Sequence, residues 1–125
     1  MVKILVVDDI PEYLDIFEIM LPDEYIVDRA LSLEEAMNKI ENSPPDIAIV
    51  DVRLNEEDEA NKEGLELLRW IKKNYPEIAV IMISAYKEFE FRVESLENGA
   101  EYFIEKPVNP QVIVERIKEI LEKKK

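Results

Sequence analysis

Three short, unbroken runs of apolar residues, each stopping on a polar side chain, constrain this chain more than any other feature. Lys3-Ile4-Leu5-Val6-Val7 runs into Asp8 and Asp9, Ile47-Ala48-Ile49-Val50 into Asp51, and Ile78-Ala79-Val80-Ile81-Met82-Ile83 into Ser84. A strand with one wet face alternates apolar and polar residues. An unbroken run is the pattern of a strand buried on both faces, found where helices cover both sides of a parallel sheet. Weaker strand patterns lie at Tyr25 to Ala30 and at Glu101 to Glu105.

Helical signals fill the intervals. Pro11 suits a first helical turn, where its missing N–H costs nothing, and Leu14, Phe17 and Leu21 follow at helical spacing. Ser32 and Glu35 form a capping box opening a second helix through about Glu41, which Ser43-Pro44-Pro45 stops. A third helix is expected over Gly64 to Tyr75, with Leu65, Leu68 and Ile71 on one face, and a fourth over Lys87 to Asn98, closed by Gly99. The last, Pro110 to Lys124, turns Val112, Ile113, Ile117, Ile120 and Leu121 inward and gathers lysines at its C-terminal end, where the helix dipole favours them. Five alternations of strand and helix predict an α/β fold, a doubly wound five-stranded parallel sheet with helices on both faces. The 125 residues suit one domain, and the irregular stretch Asn55 to Lys62 is expected to be an exposed loop.

Composition narrows the chemistry. There is no cysteine and no histidine, which excludes a disulfide framework, a thiol nucleophile, a zinc-thiolate site and the commonest general base. The two glycines, Gly64 and Gly99, cannot build a GxGxxG turn or a Walker A loop. A net charge of −13 repels nucleic acid and anionic lipid, so cations and other proteins are the expected partners, with no direct nucleic acid and no membrane. No apolar run approaches the roughly 20 residues of a membrane span, and Met1 to Val7 leads into Asp8-Asp9 without a cleavage-type pattern. A cytoplasmic location is expected.

In open parallel sheets the functional crevice lies beyond the carboxyl ends of the strands. That rule gathers Asp8, Asp9, Asp51, Ser84 and Lys106 at one edge. Three crowded carboxylates need a counter-ion, and a hard divalent cation such as Mg²⁺, or Mn²⁺, is suited to oxygen ligands of this kind. One carboxylate free to attack phosphorus, with a metal and a lysine to neutralise equatorial oxygens and a hydroxyl to donate, meets the electrostatic needs of phosphoryl transfer to an aspartate.

Taken in order, Asp8-Asp9, Asp51, Ser84-Ala85 and Lys106-Pro107, with Gly99-Ala100 ahead of the last strand, resemble the CheY-like receiver domain of two-component response regulators over essentially the whole chain, 1–125. The resemblance implies a flavodoxin-like strand order of 2-1-3-4-5. It implies that Asp51 is the phosphoacceptor and that Asp8, Asp9, Asp51 and the backbone carbonyl of Arg53 bind Mg²⁺. Ser84 and Lys106 would hold the phosphoryl group, with the Lys106–Pro107 peptide bond cis, an isomer X-Pro bonds tolerate. Phe103, three residues before the lysine, takes the place of the switch aromatic. With Ser84 it would bias the surface of the fourth helix, last strand and last helix, used by the family for output or dimerisation. The implied donor is a sensor histidine kinase or phosphotransfer protein, and the implied recipient a downstream protein target or output domain. With no output segment visible, the chain reads either as a stand-alone receiver or as a piece of a longer regulator.

Two departures stand out. The position four after Asp51, commonly proline in the family, is Asn55, and Gly64 comes about five residues late, so a longer loop carrying Glu56, Glu57, Asp58 and Glu59 flanks the site; these acids are candidate modulators of kinase contact or metal affinity. The positions flanking the hydrolytic water's path hold Arg53 and Tyr86, both large, which predicts slow autodephosphorylation. Other readings are a pseudo-receiver docking without phosphorylation, an aspartate-dependent phosphatase and a flavin carrier. The phosphatase wants an aspartate where Arg53 stands, and the carrier a hydroxyl-rich turn where Asp8-Asp9-Ile10-Pro11 stands.

Overall fold

In a computed structural model, which describes residues 1–55, 57–58, 60–85 and 89–124 with the Phe89 side chain set aside, strands and helices alternate along the chain. The elements are β1 (Lys3–Val7), α1 (Pro11–Met20), β2 (Ile26–Ala30), α2 (Leu33–Asn42), β3 (Ile47–Asp51), α3 (Glu63–Asn74), β4 (Ala79–Ser84), α4 (Phe89–Glu97), β5 (Tyr102–Glu105) and α5 (Pro110–Lys123). Every strand pairing is parallel and the order is β2-β1-β3-β4-β5.

The unbroken apolar runs are explained by two cores. Leu5, Val7, Ala48, Val50, Val80 and Met82 point to one face, against Ala36 and Ile40 of α2, Leu65, Leu68 and Ile71 of α3, and Phe91 of α4. Their neighbours Ile4, Val6, Ile47, Ile49, Ile81 and Ile83 point to the other, against Leu14 and Phe17 of α1 and Ile113, Ile117 and Ile120 of α5. Successive residues therefore leave water on opposite sides of the sheet, and each fully buried side chain contributes roughly 1.5–3 kcal/mol relative to exposure.

Several boundaries differ from expectation. Tyr25, Ile78 and Glu101 fall just before β2, β4 and β5. Leu21, expected on the stripe of α1, is its C-cap, still buried. In the expected capping box, Ser32 accepts from the Glu35 N–H at 3.1 Å, but the Glu35 carboxylate turns to the N–H of Leu31 at 2.6 Å, one residue before the cap. Val112 is only half-buried and lines a surface cleft with Arg92, Leu96 and Phe103, because the inward stripe of α5 runs through Ile113, Ile117 and Ile120. Gly99 follows α4 with φ +99°, the left-handed backbone that closes helices. The expected start of that helix at Lys87 lies outside the described residues.

The long β3–α3 connection is organised by side chains. Asn61 Oδ1 accepts from the N–H groups of both Leu54 and Glu63 at 3.0 Å, and its Nδ2 donates to Glu63 Oε1 at 2.8 Å. Asn55 and Asp58 close smaller turns on the N–H groups of Glu57 and Ala60. Asn61 thus draws the ends of the loop together, and Gly64 reaches back to donate to the Val52 carbonyl at 2.9 Å.

Candidate functional site

Parallel strands end together, so register alone brings the polar residues to one edge. Asp51 pairs across β3 and β4 with Ile83, one residue before Ser84, and Ser84 pairs with Glu105, one before Lys106. The Lys106 N–H donates to the Ser84 carbonyl at 2.9 Å, and the Asp8 N–H to the Ala30 carbonyl at 3.1 Å. The edge is buried: Asp8 is 0% exposed, Asp51 3% and Ser84 1%. Asp9 is half-buried at the rim.

At its centre stands the Lys106 ammonium, whose Nζ donates to Asp51 Oδ2 at 2.8 Å and to Asp8 Oδ2 at 3.0 Å. Each aspartate commits its other oxygen to backbone: Asp51 Oδ1 accepts from the Arg53 N–H at 3.3 Å and Asp8 Oδ1 from the Ile10 N–H at 3.0 Å. One carboxylate oxygen from each of Asp8, Asp9 and Asp51 lies within 4.8 Å of the others. Clustered hard oxygen donors of this kind fit Mg²⁺ or Mn²⁺. The Lys106–Pro107 peptide bond is cis.

Burial pushes the Asp51 carboxyl up to about 7; Asp8 adds repulsion, while Lys106 and the Arg53 N–H pull the other way. Burial disfavours the Lys106 ammonium too, but Asp51 and Asp8 outweigh it and hold its pKa above the ordinary lysine value. The consequence for the metal-free protein has a definite sign. Below about 3.8 the folded and unfolded states both carry the Asp51 proton. Between there and about 7 the unfolded chain has released the proton that the fold retains, so each step up in pH favours unfolding. In chelator, wild type should therefore lose stability relative to Asp51→Asn between pH 4 and 7, by a few kcal/mol in all, and run parallel to it above. Denaturant unfolding of both proteins across that range checks this; a constant difference refutes it.

The remaining expected residues are distributed unevenly. The Arg53 side chain is buried and its N–H meets Asp51, and Phe103 is buried on β5, 8% exposed. Glu57 and Asp58 are exposed on the loop, and Asp58 Oδ1 is already engaged by the Ala60 N–H. Glu56, Glu59 and Tyr86 lie outside the described residues. Phe91 of α4 is buried against the core. Sequence reasoning passed over Tyr13, whose ring centroid lies 3.9 Å from Lys106 Nζ. Its signal was positional: it stands four residues after Asp9 and four before the buried Phe17. The role of Gly64 was also understated. A Cβ there would fall 1.9 Å from the Asp51 carbonyl oxygen.

An open parallel sheet thus gathers buried aspartates and a lysine at its carboxyl edge, and comparison names the family. The response regulator receiver domain family model matches residues 4–118, and the chain belongs to that family. A CheY-like receiver domain protein from Methanospirillum hungatei JF-1 is similar in structure, with a TM-score of 0.88 and 37% identity, covering 98% of this chain and 95% of that one. The receiver domain of NtrX from Brucella abortus superposes with a TM-score of 0.84 at 33% identity, over 95% of this chain and 98% of that one. In sequence, the nitrogen assimilation regulatory protein NtrX of Azorhizobium caulinodans is 37% identical over 122 residues, 94% of this chain but 26% of that protein. The chain likewise spans only 23% of the response regulator protein PilR of Pseudomonas aeruginosa and 45% of the response regulator GtcR of Aneurinibacillus migulanus. Among the described residues, no helix is long and apolar enough to cross a membrane.

Proposed function

We propose that this chain is a phosphorylation-switched signalling module in which Asp51 accepts a phosphoryl group from a phosphohistidine on a sensor histidine kinase or phosphotransfer protein. The observation that carries the reading is the Lys106 ammonium bridging Asp8 and Asp51 inside a cluster of three carboxylates. These 125 residues contain no histidine, so the donor histidine lies outside them. An Asp51 carboxylate oxygen attacks phosphorus; the new O–P bond forms as the P–N bond to the donor breaks, and the electron pair leaves with the imidazole. Asp8, Asp9 and Asp51, with the Arg53 carbonyl, would hold Mg²⁺ or Mn²⁺. A divalent cation there supplies the positive charge that lets a phosphoryl group enter an acidic pocket. Lys106 transfers its pairing from Asp51 to a phosphoryl oxygen, and Ser84 donates to another.

The output side of the proposal involves Ser84 and Phe103. The α4-β5-α5 face carries a cleft of about 540 Å³ lined by Arg92, Leu96, Phe103, Val112 and Arg116. A shift of Ser84 toward the phosphoryl group, followed by the Phe103 ring, would remodel that cleft for a downstream protein, an output domain or a second copy of the chain. A cytoplasmic setting, where kinase donors and divalent cations meet, belongs to the same reading. The buried Arg53 side chain supports restricted water access and a slow loss of phosphate.

Incubation with acetyl phosphate and Mg²⁺, read by intact mass and peptide mapping, tests the proposal. The expected result is a gain of one phosphoryl group, confined to the peptide containing Asp51 and absent when Mg²⁺ is chelated. No gain, or a gain elsewhere, overturns it.

A further inference from the structure

We propose that Tyr13 is a positioning residue whose ring face holds the Lys106 ammonium in place for phosphoryl transfer. An ammonium has three N–H bonds. Among the described residues Lys106 Nζ makes two hydrogen bonds, to Asp51 at 2.8 Å and Asp8 at 3.0 Å, and the Tyr13 ring lies 3.9 Å away. The negative face of an aromatic ring attracts a cation at that distance, and more strongly where water is excluded; the lysine side chain is 6% exposed.

The ring is itself well placed to serve as a fixed wall. Tyr13 sits in the first turn of α1, its N–H donating to the Ile10 carbonyl at 3.1 Å. Half-buried, it lines a mostly apolar cleft of about 100 Å³ together with Phe17, Lys106, Pro107 and Val108. Lysine has a long flexible stem that is costly to order, and a preset aromatic wall reduces the number of positions its head can take. The contact differs in kind from the other two. Asp8 and Asp51 are the oxygens that an incoming cation or phosphoryl group competes for, whereas the ring remains beside the ammonium whatever those carboxylates engage. The side chain uses its face, so phenylalanine should serve in its place and leucine should not.

The role in transfer rests on the phosphoacceptor reading above; the hold on the ammonium does not. The test therefore has two arms, applied to the full chain as wild type, Tyr13→Phe and Tyr13→Leu. One is the NMR order parameter of the Lys106 ammonium in metal-free protein. The other is the dependence of the phosphorylation rate on acetyl phosphate concentration in Mg²⁺. Tyr13→Leu should loosen the ammonium and raise the half-saturating acetyl phosphate about fivefold, and Tyr13→Phe should restore both. An ammonium as ordered in Tyr13→Leu as in wild type, an unchanged acetyl phosphate dependence, or a Tyr13→Phe variant as impaired as Tyr13→Leu overturns the proposal. If leucine prevents folding, Tyr13→Met gives the same comparison. Should wild type itself take no phosphoryl group, the phosphoacceptor reading fails, while the order parameter still decides whether Tyr13 holds Lys106.

Discussion

Asp51→Asn should reduce phosphoryl acceptance from acetyl phosphate to background while making the metal-free fold more stable at pH 7 and above. The two effects have opposite signs because they come from one charge. An amide keeps the shape of the carboxylate and can still accept from the Arg53 N–H, so the edge of β3 is preserved. It is not a competent nucleophile toward phosphorus, and no other carboxylate shares its place: Asp8 is turned onto the Ile10 N–H and Lys106, and Asp9 stands at the rim. As pH rises past about 7 the buried Asp51 takes on a charge that burial and the neighbouring Asp8 both disfavour; asparagine never takes it on. Removing one partner of a buried pair is ordinarily destabilising, but here the ammonium keeps Asp8 at 3.0 Å and the repulsion between carboxylates disappears. Intact mass gives the first effect and denaturant midpoints in chelator the second. An Asp51→Asn protein modified as readily as wild type contradicts the site assignment, and one less stable than wild type above pH 7 contradicts the electrostatic account.

Gly64→Ala should cost about 3 kcal/mol or more, lowering the unfolding midpoint by about 10 °C. The added Cβ would lie 1.9 Å from the Asp51 carbonyl oxygen and 2.8 Å from both the Asp51 carbonyl carbon and the Val52 Cα. These are backbone atoms at the end of a buried strand, with no flexible side chain to yield. The start of α3 must move away, breaking the Gly64 N–H bond to Val52, or β3 must move and take Asp51 with it. Gly99→Ala is the internal comparison. Its positive φ makes alanine strained, yet the nearest atoms are the flexible methylenes of Lys72, at 3.2 Å and beyond, and the expected cost is about 1 kcal/mol. Measuring both variants by chemical unfolding checks the argument, which fails if Gly64→Ala is no more costly than Gly99→Ala.

These two positions mark how far the sequence could be read. The nature and order of the elements were plain because unbroken apolar runs and helical stripes report burial directly. Asp8, Asp9, Asp51, Ser84 and Lys106 could be collected because parallel strands deliver their carboxyl ends to one edge, whatever the details of packing. Tyr13 escaped because an aromatic in a helical stripe looks like core; only the path of α1 beside the β5–α5 connection shows that its face meets an ammonium. Gly64 was visible as a glycine arriving late after Asp51, but the demand on it depends on an approach between the start of α3 and the end of β3. Asn61 read as one more polar loop residue, and its two simultaneous N–H partners exist only once Leu54 and Glu63 are close.

What the sequence by itself determined is therefore whatever follows from local pattern: strand, helix, the sidedness of each, and the polar residues that punctuate strand ends. Hydrophobic periodicity needs only near neighbours to act, so it is written in consecutive residues. What the tertiary structure alone decided is how charges share one small volume. Lys106 meets Asp8 across 98 positions and Asp51 across 55. The raised pKa of Asp51, the ring over the ammonium and the missing Cβ at Gly64 all arise from contacts between segments far apart in the chain. Coulomb and steric terms depend on distance in space, and the fold is what sets that distance.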